Sequence, residues 1–165
     1  MNYRTHLLRC LGFAVSVVMC AGAFAQSEHV SKLLCYAVGN SQPEPIGDRE
    51  GHAVAADQYT CRVEGGLLDG GVVTGGTIWE YDKINATLLS GSGVIRKPGA
   101  VAAFQNTESK LTMTLSEGKV TGFTGTGRGH WTMATGTAAA LKGKTYSYTF
   151  TATGPFEFVG NVKYE

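Results

Sequence analysis

Two carboxylates flank a phenol in Trp79-Glu80-Tyr81-Asp82, the densest group of chemically able side chains in this chain of 165 residues. Paired carboxylates with separated pKa values can divide acid and base roles, and an aromatic wall raises the pKa of one of them by desolvation. Glu80 is therefore a candidate acid–base residue. The opposing interpretation is a packing aromatic with solvated charges, because Glu80 and Tyr81 point to opposite faces of a strand.

Aromatic side chains with polar tips form a second group, and Glu64 accompanies them as a further candidate acid or base. Phenols that line a cavity orient the polar atoms of a ligand while its apolar body packs on the rings. The same rings would otherwise fill a core, or form an outward patch for a partner. The candidate ligand-binding residues are Tyr59, Trp79, Trp131, Tyr146 and Tyr148.

The elements that must position these side chains are strands. From His52 onward, hydrophobic residues recur mostly at every second position between turn residues, which predicts an antiparallel sheet. In 144–152, for example, Tyr146, Tyr148 and Phe150 share one face. The predicted strands are 52–63, 72–81, 85–96, 100–107, 109–115, 118–128, 129–137 and 143–152, with a closing strand at 155–164, and neighbours among them can form one long bent strand.

A sheet of this length with apolar residues on both faces tends to curl and close. We therefore predict an all-β domain, a single antiparallel β-barrel of about eight strands, with a two-sheet β-sandwich as the alternative. Interior glycines favour the barrel, since tightly coiled strands bend where Cβ atoms would crowd. The barrel is expected over 52–165, and 26–51 is expected to be an extended N-terminal arm.

The first 25 residues have the pattern of a secretory signal peptide. Arg4 and Arg9 give a basic start, 11–21 is an apolar run, and Ala23-Phe24-Ala25 is a small-x-small cleavage signature. The run is shorter than the roughly 20 residues that span a bilayer. We expect residues 1–25 to be removed and the mature chain to be secreted or periplasmic, with no membrane span.

Cys35 and Cys61 are the two cysteines that remain after this segment. In an oxidising compartment such a pair predicts one disulfide, which would join the arm to the first barrel strand. The mature chain has no C-x-x-C pair, and its three histidines lack metal-type spacing. We therefore expect no metal and no cofactor.

Charge argues against nucleic acid as a partner. Without Arg4 and Arg9 the chain has 12 basic and 13 acidic residues, a formal net charge of −1. Its one adjacent basic pair, Arg96-Lys97, precedes Pro98-Gly99 and fits a solvated turn. The chain thus lacks the electrostatic footprint that phosphate binding needs.

The segment 127–138, GRGHWTMATGTA, followed by KTYSY at 144–148, resembles the G-x-G-x-x-x-x-A-x-G-x-A then T-Y segment of the dirigent and allene oxide cyclase-like barrels. The resemblance implies an exported eight-stranded antiparallel barrel with a central cavity, which in some members steers or cyclises a small apolar molecule. The polar cavity residues of those families have no match in this chain. No catalytic residue is therefore assigned from the resemblance.

Three functions remain open at this point. The first is an exported barrel that binds a small hydrophobic molecule or serves a structural role without catalysis. The second is a cyclase or isomerase, which would need Glu64, Glu80 or Asp57 to face inward with a perturbed pKa. The third is an envelope interaction module or inhibitor that works through an exposed apolar face. We expect the first, with a cavity lined by aromatic side chains as its mark.

Overall fold

The computed structural model describes residues 30–39 and 42–165; the predicted signal peptide lies outside these residues. The described chain is built almost entirely of strands, with one short 3-10 helix at Ala139–Leu141. The strands are β1 (Val30–Val38), β2 (Glu44–Pro45), β3 (His52–Glu64), β4 (Val72–Asp82), β5 (Asn85–Lys97), β6 (Ala100–Ser116), β7 (Lys119–Gly136), β8 (Thr145–Ala152) and β9 (Glu157–Tyr164). No helix in the described ranges is long and apolar enough to cross a membrane.

These strands form one antiparallel sheet that closes on itself. From β3 to β9 each strand pairs with the next, and β1 pairs with both β9 and β3, which completes a ring of eight strands. The two-residue β2 adds to the outer end of β3. The predicted antiparallel barrel is thus confirmed, although its wall is uneven because β6 and β7 have 17 and 18 residues and β8 and β9 have 8 each.

The sequence predicts two separate strands in place of each of the two longest strands. The stretches 100–107 and 109–115 form β6, and 118–128 and 129–137 form β7. The β6–β7 register shifts between Asn106 and Glu108, where one extra residue is accommodated in β6. Such a bulge bends a strand without ending it, so a break in alternation does not mark a strand end here.

The predicted N-terminal arm is wrong for its first half. Residues 30–38 form β1, which lies in the barrel wall between β3 and β9. The sequence VSKLLCYAV does not alternate cleanly, and its partners are 20 or more residues away on one side and more than 100 on the other. Local pattern does not report pairing over such distances.

One end of the barrel is closed by side chains. Leu68, from the β3–β4 loop, and Leu141, from the 3-10 helix, are 0% and 1% exposed and pack in the same core cluster as Trp131 and Tyr164. We call this the floor. At the other end, which carries the β4–β5, β6–β7 and β8–β9 turns, the interior is lined at its rim by Pro43, Pro155 and Phe156. We call that end the mouth.

Candidate functional site

The interior of the barrel holds a cavity of about 390 Å³ that runs from the floor to the mouth. Twelve of the 16 aromatic residues of the chain contribute to its described lining. Every long strand except β8 also contributes aliphatic side chains. A cavity of this size falls in the range of small-molecule sites. The barrel is therefore not packed solid by its own side chains.

Glycines on β7 make room for this cavity. Gly125, Gly127 and Gly129 are paired across the sheet with Phe150, Tyr148 and Tyr146 of β8. A Cβ atom on any of the three glycines would lie less than 3.0 Å from the ring of its partner. The rings therefore lean across the glycines, against the wall, instead of projecting into the centre.

The same arrangement occurs twice more around the barrel. A Cβ on Gly75 of β4 would lie 2.7 Å from the hydroxyl of Tyr59, its partner on β3. A Cβ on Gly93 of β5 would lie 2.5 Å from the ring of Phe104 on β6. Inward glycines thus do more than let strands bend, which is the role that the sequence pattern indicated for them.

The hydroxyl groups of three tyrosines in the cavity lining form hydrogen bonds with polar side chains. The hydroxyl of Tyr146 donates to Asn106 Oδ1 at 2.7 Å, and the same amide is hydrogen-bonded to Tyr59. Tyr148 is hydrogen-bonded to Ser109. Burial raises the pKa of Tyr59, Tyr146 and Tyr148 above the ordinary value of 10, so all three phenols stay protonated near neutral pH.

Asp57 is the one charged residue in the described lining. It lies on β3 directly across from Thr77 of β4, two residues from Tyr59 along its own strand. The pKa of Tyr81 is raised to about 12, first by burial and then by the negative charge of Asp57. The carboxylate and the aromatic wall therefore share one part of the cavity.

All five aromatic residues singled out in the sequence line the cavity: Tyr59, Trp79, Trp131, Tyr146 and Tyr148. Their ligand-binding role remains a prediction, since their position is also that of core residues. Trp79 donates from Nε1 to Thr77 Oγ1 at 2.9 Å. Trp131 is 3% exposed, and its Nε1 has no hydrogen-bond partner among the described residues. A ligand with an acceptor at that atom would satisfy a donor that is otherwise costly to bury.

The two candidate acid–base residues lie elsewhere. Glu80 Oε1 is 2.8 Å from Nε2 of His52, and Glu64 forms an ion pair with Arg62. The described lining of the cavity includes neither carboxylate. Their acid–base role remains a prediction that has no contact with the cavity to support it.

Two residues of the site were not among the ligand-binding residues chosen from the sequence. Asn106 follows Ala100, Ala102 and Phe104 at alternate positions of β6. Because side chains alternate between the two faces of a strand, this position alone places Asn106 on the inner face. Asp57 was named as a carboxylate that an enzyme would need inside, and it does line the cavity. For both residues, the available signal was the alternation of inward and outward positions along the strand.

The predicted disulfide between Cys35 and Cys61 is confirmed. The two residues are direct cross-strand partners on β1 and β3, with their Cα atoms 4.0 Å apart. Both are 2% exposed and pack in the cluster next to the floor. The bond therefore fastens β1, the strand that completes the ring, to β3.

Exposed apolar side chains surround the mouth. Ile84 lies in the β4–β5 turn, Leu115 and Val120 flank the β6–β7 turn, and Phe156 lies in the β8–β9 turn. Val120 and Phe156 also belong to the lining of the cavity. A hydrophobic molecule would thus meet apolar surface before it enters.

No group of three or more His, Cys, Asp or Glu side chains within the described ranges could hold a metal ion. No protein-family model, no curated protein and no solved structure matches this chain. The resemblance to dirigent and allene oxide cyclase-like barrels therefore stays a prediction from the 127–138 segment, and function must be argued from the cavity itself.

Proposed function

We propose that this protein is an exported barrel that binds a small hydrophobic molecule in its interior. The observation that carries the proposal is the cavity of about 390 Å³, walled by aromatic rings, closed at the floor by Leu68 and Leu141 and reached through an apolar mouth. Eight-stranded barrels are either filled by side chains or hold one small ligand. The rings that lean across glycines leave interior space, which supports the second alternative for this barrel.

The energetics of the cavity support the same proposal. Side chains around an empty apolar space lose the dispersion contacts that a packed core provides. A bound apolar molecule restores those contacts and stabilises the folded state. Polar side chains, among them Asp57, Asn106 and the phenols, are a minority of the described lining, as in sites where polar atoms fix the orientation of a largely apolar ligand.

Export is part of the proposal. The Cys35–Cys61 bond is compatible with an oxidising compartment. The intact mass of the protein recovered from its own cells is expected to match a chain that begins at Gln26, less two hydrogens for the disulfide. A mass that retains 1–25 would remove signal cleavage from the proposal.

A cyclase or isomerase is the second candidate function, and Asp57 is the observation that favours it. A carboxylate inside an apolar cavity can act as a base on a bound molecule. The molecule that co-purifies with the protein should then differ after incubation, at unchanged mass, from the molecule first released. Conversion that persists in Asp57→Asn would exclude this role.

Binding can be tested with the neutral fluorophore N-phenyl-1-naphthylamine, whose emission rises in apolar surroundings. Gly160 of β9 is buried and lines the cavity, and a Cβ there would meet Leu33 at an ordinary 3.5 Å. Gly160→Leu is therefore expected to place its side chain in the cavity and weaken binding at least tenfold, about 1.4 kcal/mol. Asn161→Leu, at the exposed neighbouring position, is the matched control.

Thermal unfolding must show that both variants are folded, and Gly160→Val serves as a smaller replacement if the leucine variant is not. Wild-type protein that fails to bind the fluorophore, or a folded Gly160→Leu variant that binds it as well as wild type does, would contradict the proposed site.

A further inference from the structure

The described lining of the cavity carries charge of one sign only. Its described lining contains the carboxylate of Asp57 and no Lys, Arg or His side chain. The other polar groups there are neutral phenols, hydroxyls and amides, because burial keeps the pKa of the phenols high. An anionic ligand would find no counter-charge among these groups, and it would be repelled by Asp57.

Aromatic side chains near the carboxylate add to this preference. Along β3, Tyr59 follows Asp57 by two positions on the same inward face; across the sheet, Trp79 is two positions beyond Thr77, the partner of Asp57. The faces of such rings carry partial negative charge and attract cations, tryptophan most strongly. A carboxylate near Trp and Tyr side chains is a chemistry that recognises ammonium groups.

The rest of the cavity indicates what the ligand carries besides this group. Between Asp57 and the floor, the lining consists mainly of apolar and aromatic side chains, among them Phe104, Trp131 and Val162. These surfaces favour an apolar or aromatic body rather than a second charge.

We propose that the ligand is a small monocation, an amine or quaternary ammonium group on an apolar or aromatic body, with its charged end beside Asp57 and its body toward the floor. This inference rests on the proposed function and names the ligand class of that same cavity.

Three indoles of similar size and different charge test the inference by displacement of N-phenyl-1-naphthylamine at pH 7. Tryptamine carries the cation, 3-propylindole is neutral and indole-3-propionate is the anion. Tryptamine is expected to bind about tenfold more tightly than 3-propylindole, since part of the Coulombic gain is offset by desolvation of both charges. Indole-3-propionate is expected to bind most weakly. Octyltrimethylammonium and octanol repeat the comparison for a slender ligand.

Variants locate the preference at one carboxylate. Asp57→Asn is expected to remove the advantage of the cation and leave the affinity of 3-propylindole unchanged, whereas Asp57→Glu retains the advantage. Asp82→Asn, at an exposed position outside the described lining, should change neither affinity. A general loss of folding in Asp57→Asn would lower all affinities together, which the neutral ligand reports.

Each outcome bears on one of the two claims. If the neutral ligands bind as tightly as the cations in both series, or the anion binds best, or Asp57→Asn leaves the ratio intact, the monocation is excluded and the hydrophobic site stands. If N-phenyl-1-naphthylamine itself does not bind, the proposed function fails first.

Discussion

At the scale of single residues, the inward glycines of β7 set how much space the barrel retains. Each of Gly125, Gly127 and Gly129 lies under an aromatic ring of β8, so these rings pack along the wall of the barrel. A glycine usually weakens a strand because it has no side chain to pack. Here the partner ring covers the glycine, which offsets that cost and leaves the centre open.

Gly127→Ala is expected to lower the free energy of unfolding by about 1–3 kcal/mol, the usual range for overpacking. The added methyl group would overlap both the ring of Tyr148 and the backbone oxygen of Glu108. Urea unfolding measures the change. Gly122→Ala on the same strand is the control, because its Cβ would meet Ala152 at an ordinary 3.5 Å. Equal effects from both substitutions would mean that the ring of Tyr148 does not occupy the space above Gly127.

A second residue-scale feature ties the loop before β3 to β4. The imidazole of His52 lies between Asp48 and Glu80, with Nδ1 toward the first and Nε2 toward the second. Hydrogen bonds to Asp48 and then to Glu80 raise the pKa of His52 above its ordinary value of 6.5. The same bond to His52 lowers the pKa of Asp48. Only the protonated ring can donate to both carboxylates.

The stabilising effect of His52 should therefore depend on pH. Because the folded-state pKa is raised, the contribution is fully present below about pH 6.5 and is lost as the pH rises through the folded-state value. The difference in melting temperature between wild type and His52→Gln is expected to be larger at pH 5.5 than at pH 9. His130→Gln, which alters a histidine on β7, is the control. A difference that stays constant with pH would show that the two ion pairs add nothing to stability.

At the scale of elements, β1 is the strand on which closure depends. It pairs with β3 on one side and β9 on the other, so its loss would open the ring and expose both of those edges. β1 has 9 residues, and one covalent bond to β3 supplements its hydrogen bonds. Closure of the barrel and formation of the disulfide are thus coupled.

Replacement of both cysteines by alanine is expected to lower the free energy of unfolding by roughly 3–4 kcal/mol, from the entropy of a closed loop of this length. The bond spans a sequence separation of 26 residues. Urea unfolding with and without a thiol reductant measures the loss. Reductant should shift the midpoint of wild type and leave the Cys35→Ala/Cys61→Ala variant unchanged. A wild-type midpoint that reductant does not alter would contradict the prediction.

Much of the architecture of β3 to β9 could be predicted from alternation, because inward and outward side chains of a half-buried strand differ in polarity. The shared face of Tyr146, Tyr148 and Phe150 is the clearest case, and it does face the interior. The opposite faces assigned to Glu80 and Tyr81 also agree with the structure, in which Tyr81 is buried and Glu80 pairs with His52. The alternation along each strand therefore predicted which of these side chains face the cavity.

The alternation of side chains could not predict contacts between segments that are distant in sequence. β1 has no distinctive local pattern and joins the wall only through partners at 58–64 and 157–163. The merging of four predicted strands into β6 and β7 depends on bulges that are fixed by the neighbouring strand. Whether the centre is hollow depends on which ring meets which glycine, and that is a property of register.

At the scale of the whole molecule, a barrel with a central cavity lacks part of the packing energy of a filled core. The floor near Leu68 and Leu141 is a packed core, and the space above it is not. Filling that space should therefore stabilise the fold, whether a side chain or a ligand fills it. The two ways of filling it should also exclude each other.

Gly160→Leu tests this exchange. Its side chain would bury apolar surface in the cavity and restrict the unfolded chain, so the free energy of unfolding is expected to rise by about 1–2 kcal/mol. Wild type should gain a similar amount only when ligand is present, about 2.7 kcal/mol at a hundredfold excess over Kd. The melting temperature of wild type should therefore rise with N-phenyl-1-naphthylamine, while that of Gly160→Leu starts higher and rises less. A destabilised leucine variant, together with a wild type that does not respond to the fluorophore, would instead indicate an interior that is already filled.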